Sequence, residues 1–414
     1  MSTKDRTQVL VVGAGLVGLT AALTLAGQGF AVRIVDREKA HPVRPFPVLL
    51  HAASLRILEE LRVCSADDWR GRLVTQLSIC SSGSYETLLD LSRAAGAWGG
   101  VLVLPQAILL QTLTQLLARR GVEVEWNSEL LAIQQGEYTA LARVRQSSHA
   151  HKVLFPRQEA PSELKSIVAD YVIGADGYHS TVRSSLSLKL LPHGPLETFA
   201  FFEAATERPL LSARLELQEG AASSVYPIEG KRARFCFQTG LPLDRAPDLR
   251  QLKELVASKL PGFPGAFTEC DHTGLVEFRR ALTPHFGAGR VWLAGEAAHT
   301  TGPIGAHSIN IGMREAGELA QAMGEALRPS SRGSFGDGYD AARLREWREL
   351  LGLVPWESRD SLPHSVEPDL TRIIPCLPAS GNDLSELLAQ RSQRPALSSG
   401  RRMRRAQPPP LPRS

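Results

Sequence analysis

Apolar residues come in two spacings along this chain, and where the spacing changes suggests its organisation. The run Gln8–Val12 is a short apolar strand ending in Gly-Ala-Gly. A helix-like stretch, Leu16–Ala26, follows, then a stop at Gly29 and a second apolar strand, Ala31–Val35, which together make a βαβ opening. Helical spacing returns over Ala53–Leu61 and over Gln106–Arg119, which Gly121 stops, and a β-rich stretch, Val74–Leu91, lies between them. Beyond the strand Val122–Trp126 the pattern is poor up to Leu164. A continuous apolar strand, Ile167–Ala175, then appears. From Leu188 to Phe286 the chain breaks into short alternating segments divided by Pro and Gly, the mark of an antiparallel sheet inserted into an α/β domain. The α/β pattern resumes with the strand Val291–Ala294, a glycine-rich loop and a helix over Met313–Leu327, and Tyr339–Gln390 reads as partly helical.

These elements predict an α/β fold: a Rossmann-type nucleotide domain in three pieces (1–73, 101–187 and 287–350) and an inserted, mostly antiparallel β-sheet domain for substrate (74–100 and 188–286). A helical extension, 351–389, and a basic, Pro-rich, disordered tail, 390–414, complete the chain. Composition narrows the class. With 414 residues, 43% of them hydrophobic, the chain can bury a large core. The polar N-terminus lacks a signal-peptide pattern, and no apolar stretch reaches the ~20 residues needed to span a bilayer, so a cytoplasmic location without a transmembrane segment is expected. The five cysteines (Cys64, Cys80, Cys236, Cys270 and Cys376) show no CxxC spacing, so no metal site and no disulfide framework is expected. The net charge of +4 is produced by the tail: removing the seven arginines of Gln390–Ser414 leaves −3 for the body, which excludes a basic nucleic-acid binder. The tail reads as a solvated terminus, with peripheral contact to acidic lipid or to a partner as the alternative.

The candidate chemistry lies at the loops. Gly13-Ala14-Gly15-Leu16-Val17-Gly18 joins strand to helix: Gly13 permits the turn, Gly15 admits a pyrophosphate, and Gly18 lets the helix pack on the strand. Asp36, followed by Arg37, ends the second strand, where a carboxylate accepts the hydroxyls of an adenine ribose. Set in a βαβ frame, this fingerprint points to a dinucleotide without separating NAD from FAD. Two further segments follow: Gly174-Ala175-Asp176-Gly177 running on to Arg183, and Gly289–His299 with its continuation Gly302-Pro303-Ile304-Gly305-Ala306 and Asn310.

In this order and spacing the three segments resemble the single-component flavoprotein aromatic hydroxylases, the para-hydroxybenzoate hydroxylase-like family, over residues 7 to 350. The resemblance implies FAD as cofactor, NADH or NADPH as transient co-substrate, and O2. The reaction it implies is hydroxylation or epoxidation of an electron-rich aromatic or heteroaromatic molecule through a flavin hydroperoxide, in secondary-metabolite biosynthesis. It places Asp176 and Gly177 near the FAD pyrophosphate, with a part in nicotinamide binding. Glu296 falls where the family carries an aspartate on a ribityl hydroxyl. The loop of Pro303, Gly305, Ala306, His307, Ser308, Ile309 and Asn310 passes along the isoalloxazine, and Gln106 contacts the cofactor. Tyr339 and Arg343 resemble the closing helix. The chain departs from the family at Glu296 and at His307-Ser308, where glutamine-glycine is usual. His307 is the candidate acid–base residue, since it could deprotonate a phenol or polarise a carbonyl; His299 reads as structural.

A reductase or dehydrogenase on the same fold, and a flavin-binding protein without turnover, are the rival readings. The oligomeric state is not legible. For the substrate, Arg232 and Arg234 share one strand face, Phe235 and Phe237 the other, and Phe199 and Phe201 share a face on a neighbouring segment. No acid is regularly placed opposite the arginines, so they are expected on the solvent side. That points to a small neutral aromatic or heteroaromatic substrate rather than a benzoate, with simple sheet packing as the other role for the phenylalanines.

Overall fold

The computed structural model describes residues 5–41, 47–63, 71–81, 84–95, 98–147, 162–218, 220–241, 246–263, 267–328, 336–354 and 372–392. Cys64 and the tail beyond Ser392 lie outside these. In the first sheet the strands run in the order Gly287–Ala288, Val291–Leu293, Ser162–Gly174, Arg6–Val12, Val32–Val35 and Val124–Glu125. Arg6–Val12 pairs in parallel with Ser162–Gly174 on one side and Val32–Val35 on the other, and Val291–Leu293 adds in parallel beyond Ser162–Gly174. Both faces of this layer are covered. Val9 and Val11 belong to one apolar core, Leu10 and Val12 to the other, which is why the sequence there is apolar without alternation.

The register brings the motifs together. Val12 lies beside Gly174, and Gly174 beside Leu293. The three glycine-containing loops that leave these strands therefore emerge side by side at the carboxyl ends of the strands, where ligands of such sheets bind.

The second sheet has eight strands, in the order His299–Thr300, Phe267–Leu282, Leu191–Thr206, Arg232–Thr239, Ala221–Pro227, Ala213–Gln218, Gln76–Ser81 and Ser84–Asp90. Ala213–Gln218 runs parallel to Gln76–Ser81, and the other pairings are antiparallel. One face, with Ala200, Phe202, Ala204, Phe235 and Phe237, packs on the helix Leu249–Lys259. The opposite face, with Phe199, Phe201, Tyr226 and Cys236, joins the core it shares with Leu10 and Val12 of the first sheet. The helix falls in a region where almost none was expected, and a capping box of Asp248 and Gln251 starts it. The poorly patterned region before Leu164 contains two antiparallel strands, Ser128–Gln135 and Ala140–Ser147, which extend the first sheet. Three short strands, Pro47–Leu50, Arg72–Val74 and Val101–Pro105, form a small third sheet.

Candidate functional site

The first loop is shaped by backbone contact. Gly13 has φ +102°, and a Cβ there would lie 2.3 Å from the Ala175 carbonyl oxygen. Gly15 differs: its φ of −72° suits any residue, and a Cβ would meet nothing within 4 Å. That open space belongs to a cavity of about 210 Å³ whose walls include Gly13, Gly15, Asp36, Arg37, Asp176 and Gly177. The helix Leu16–Gly27 begins there and presents first-turn N–H groups that have no intrahelical partner. Leu16 and Gly18 are buried on that helix. The cradle therefore has the shape and donors that a pyrophosphate and an adenine ribose need. The Asp36 carboxylate accepts the N–H groups of Ala14 at 2.6 Å and Glu38 at 2.8 Å, which aims it across the mouth of the loop with lone pairs left for hydroxyl groups.

Asp176 is engaged locally. Its carboxylate accepts the Ser180 hydroxyl at 2.6 Å and the N–H groups of Thr181 and Val182, and so caps the short helix Thr181–Ser185. Burial raises its pKa, against these hydrogen bonds.

A second cavity, of about 290 Å³, lies on the second sheet, closed by Val48, Leu49 and Val103 of the small third sheet and by the segment 301–309. Gln106, Glu296 and the loop residues Pro303, Ala306, Ser308 and Ile309 line one side, and Phe201, Tyr226, Arg234, Cys236, Val276 and Phe278 the other. Glu296 is exposed on the turn Gly295–Ala297. That turn is held by Glu315, a fully buried carboxylate that accepts from Gly295 N at 2.9 Å, His299 Nε2 at 2.8 Å and Trp347 Nε1 at 2.7 Å. Against the cost of burial, His299 and the hydrogen bonds hold its pKa down at about 2. His299 stacks on Trp347 with ring centroids 3.7 Å apart. It is fully buried and structural, as expected. Neither Glu315 nor Trp347 was identified from sequence.

His307 requires correction. It is fully buried, does not line the cavity, and its Nε2 donates to the Ile374 carbonyl at 3.1 Å, so the acid–base role falls away. Asn310 is also buried. It receives His51 N–H and the Ser54 hydroxyl on Oδ1 and donates from Nδ2 to the carbonyls of Leu49 and Ala306, tying three elements together behind the loop. Gly305 presents its carbonyl to His51 Nε2 at 2.8 Å. Ala306 adopts the left-handed conformation, φ +54°, just before the helix His307–Ala326, a strain of about 1 kcal/mol that the surrounding contacts sustain.

Both rings donate Nε2–H to carbonyl oxygens, and the buried Nδ1 of each has no partner among the described residues. A second proton there would be an unpaired buried donor, so the neutral form of His51 and His307 is favoured. Burial depresses both pKa values, that of His307 to about 4. A histidine with a folded-state pKa below its unfolded value contributes stability above about pH 6.5 and loses it as pH falls. The unfolding free energy, read from denaturant titrations, should therefore drop between pH 7 and pH 5 by about 2 kcal/mol from His307 alone. A His307→Asn variant with the same pH slope as the wild type would contradict this.

The arginines also require correction. Arg234 lines the cavity rather than the solvent side, with its guanidinium 4.6 Å from the centre of the Phe201 ring. An acid does lie opposite it: the register pairs Glu203 with Arg234, their charged atoms are 3.9 Å apart, and burial pushes the Glu203 carboxyl up to about 7 despite Arg234. Arg232 pairs with Asp271 nearer the rim. Phe235 and Phe237 pack the sheet on its helix, away from the cavity.

The family described as FAD binding domain matches residues 6–351. The 6-methylpretetramide 4-monooxygenase of Streptomyces rimosus is 27% identical over 354 residues, 84% of this chain and 61% of that protein. The pentachlorophenol 4-monooxygenase of Sphingobium chlorophenolicum is 25% identical over 83% of this chain and 63% of its own length. The chain thus spans somewhat under two thirds of these relatives. Among solved structures, p-nitrophenol 4-monooxygenase PnpA from Pseudomonas putida DLL-E4 superposes with a TM-score of 0.70 at 20% identity, covering 94% of this chain and 100% of that one. A ternary complex of aklavinone-11 hydroxylase with FAD and aklavinone gives 0.62 at 20% identity, over 83% of this chain and 65% of that one. Both share the fold. No helix among the described residues is long and apolar enough to cross a membrane.

Proposed function

This chain belongs to the family of FAD binding domains, and on that premise we propose that it is an NAD(P)H- and O2-dependent monooxygenase of aromatic molecules. The observation that carries this reading is the cavity on the second sheet, with Gln106, Glu296 and the helix start on one side and an aromatic-rich sheet face on the other. Several relatives, including the two described above, are named as monooxygenases.

FAD, when bound, supplies hydride acceptance from a reduced nicotinamide and the activation of O2. The protein binds, orients and excludes water. Asp36 takes the adenine ribose, the loop Gly13–Gly18 the pyrophosphate, Asp176 and Gly177 flank it, and Glu296 takes a ribityl hydroxyl. The first turn of His307–Ala326, in which Ser308 and Ile309 line the cavity, brings N–H groups and the positive end of the helix dipole to the ring. The apolar wall keeps water from the reacting atoms.

Arg234 supplies the one positive charge among the described residues lining this cavity. Its guanidinium donates to a substrate oxygen, and because Glu203 already lies against it, a second carboxylate is disfavoured relative to a phenolic or keto oxygen. The substrate is therefore a neutral aromatic or heteroaromatic molecule bearing such oxygens, on different grounds from those the sequence offered.

The test is a panel of benzoates, neutral fused-ring phenols and quinolones, scored by stimulated NAD(P)H oxidation and by the mass of one added oxygen. Oxidation of NAD(P)H with no oxygenated product would favour a reductase, and coupled turnover of benzoates alone would refute the neutral substrate. For Glu296, replacement by alanine should weaken FAD by one charge-assisted hydrogen bond, about 1.5–3 kcal/mol or roughly ten- to a hundredfold. Glu296→Asp should be mild. Equal FAD affinity of the alanine variant and the wild type, by fluorescence titration, would remove Glu296 from the site.

A further inference from the structure

A third cavity, of about 550 Å³, lies on the same sheet face as the substrate wall, one step further along the strands. On Leu191–Thr206, Phe201 lines the cavity described above, whereas Phe199 and Glu197 line this one. On the neighbouring strand Arg234 and Cys236 line the first and Gln238 the second. On the other neighbour Val276 and Phe278 line the first and Arg280 the second. Alternate residues of a strand share a face about 7 Å apart, so the two cavities are consecutive stretches of one trough. Thr301, Gly302 and Ile304 line both. The divider is Phe199, edge-on to Phe278 with centroids 5.9 Å apart, and Gly302 passes so close that a Cβ would be 3.3 Å from the Phe199 ring.

The two stretches differ in chemistry. In the second, the Glu197 carboxylate accepts from Gln238 Nε2 at 2.8 Å and from Arg280 Nη2 at 3.3 Å, while Gln238 Oε1 accepts Ala222 N–H at 3.1 Å. The amide is thereby fixed in orientation. Arg280 has donors beyond the one that Glu197 takes, and Arg372 adds a second guanidinium on this wall. Glu197 offsets one of the two positive charges, so hydrogen-bond donors are in excess.

We propose that this cavity is a subsite for the oxygen-rich end of an elongated polycyclic substrate whose reacting ring lies in the Arg234 cavity. The groups it takes are amide, keto or enolic oxygens. The inference rests on the monooxygenase reading above and sets the length and polarity of the substrate class.

The probes are a hydroxyanthraquinone and the same compound with a primary carboxamide on the ring far from its hydroxyl. They are titrated into FAD-loaded wild type, Arg280→Met and Gln238→Leu and followed by the change in the FAD absorbance spectrum. The wild type should bind the carboxamide at least tenfold more tightly, and the ratio of the two affinities should fall towards one in both variants. Should Arg280→Met fail to retain FAD, the wild-type ratio and Gln238→Leu decide. Equal binding of the two probes by the wild type, or a ratio unchanged in Gln238→Leu, overturns the subsite. If neither probe perturbs FAD or stimulates NAD(P)H oxidation, and the substrate panel is equally silent, the monooxygenase reading falls with it. Turnover of both probes without preference sinks the subsite alone.

Discussion

Gly15→Val should yield a folded protein that binds no FAD. The backbone at Gly15 is extended, with φ −72° and ψ −179°, so valine adopts it without strain, and its branches enter space that no protein atom occupies. That space is the proposed cradle for the pyrophosphate, so the loss of affinity should exceed a hundredfold, more than about 2.7 kcal/mol. Gly13→Ala should fail in the opposite way. A Cβ 2.3 Å from the Ala175 oxygen, on a backbone with φ +102°, breaks the contact between the first loop and the end of the neighbouring strand. Thermal melts of the cofactor-free proteins, beside flavin content by absorbance, separate the two. A folded Gly15→Val protein as yellow as the wild type would exclude this loop from the cofactor site.

Glu315→Ala should be strongly destabilising. It strips the acceptor from three buried donors, Gly295 N–H, His299 Nε2–H and Trp347 Nε1–H, and leaves the Arg343 charge without one of its counter-charges. Losing one partner of such a buried ionic group costs about 3–5 kcal/mol. FAD affinity should fall as well, because the turn bearing Glu296 loses its anchor. Glu315→Gln, which keeps one acceptor oxygen, should lie between alanine and wild type. The pH dependence follows from the depressed pKa: the stabilisation is present above about pH 4.5 and is lost as pH falls towards 2, about 3 kcal/mol in all. Urea midpoints of the three proteins at pH 7 and at steps down to pH 2 would measure it, with only about 1 kcal/mol of the loss reached by pH 4. An alanine variant within 1 kcal/mol of wild type would show the network to be dispensable.

What the sequence made legible was local. The loop Gly13–Gly18, Asp36 at the end of the second strand and the helix Gln106–Arg119 lie where the pattern put them, because each is specified by residues within a few positions of one another. The helix His307–Ala326 starts six residues before the expected Met313, since Gly312 reads as a loop glycine but is buried inside the helix. The helix Leu249–Lys259 had a readable signal that the Pro- and Gly-rich surroundings obscured: Asp248 and Gln251 three apart, then Leu249, Leu252 and Leu255 at helical spacing. Other features were out of reach. Glu203 faces Arg234 only through a cross-strand register between segments some thirty residues apart, and no count of residues along one strand reveals its partner. His307 looked available because its partner, the Ile374 carbonyl, lies 67 residues away in the C-terminal extension, and helical spacing there says nothing of which loop it meets.

That last contact has a consequence for how the protein is made. The loop from Pro303 to His307 takes its anchoring from His51, made early, and from Ile374, made near the end. Domains of a nascent chain generally fold as units from the N-terminal side as synthesis proceeds. Here the first strand can pair with Val32–Val35 at once, but its other neighbour, Ser162–Gly174, comes more than a hundred residues later, and the loop proposed to flank the cofactor ring is clasped only after Ile374 has left the ribosome. On the proposed site, cofactor capture waits on a contact made late in synthesis, and a chain stopped before Ile374 would carry every glycine of the nucleotide fingerprint without this clasp on the loop.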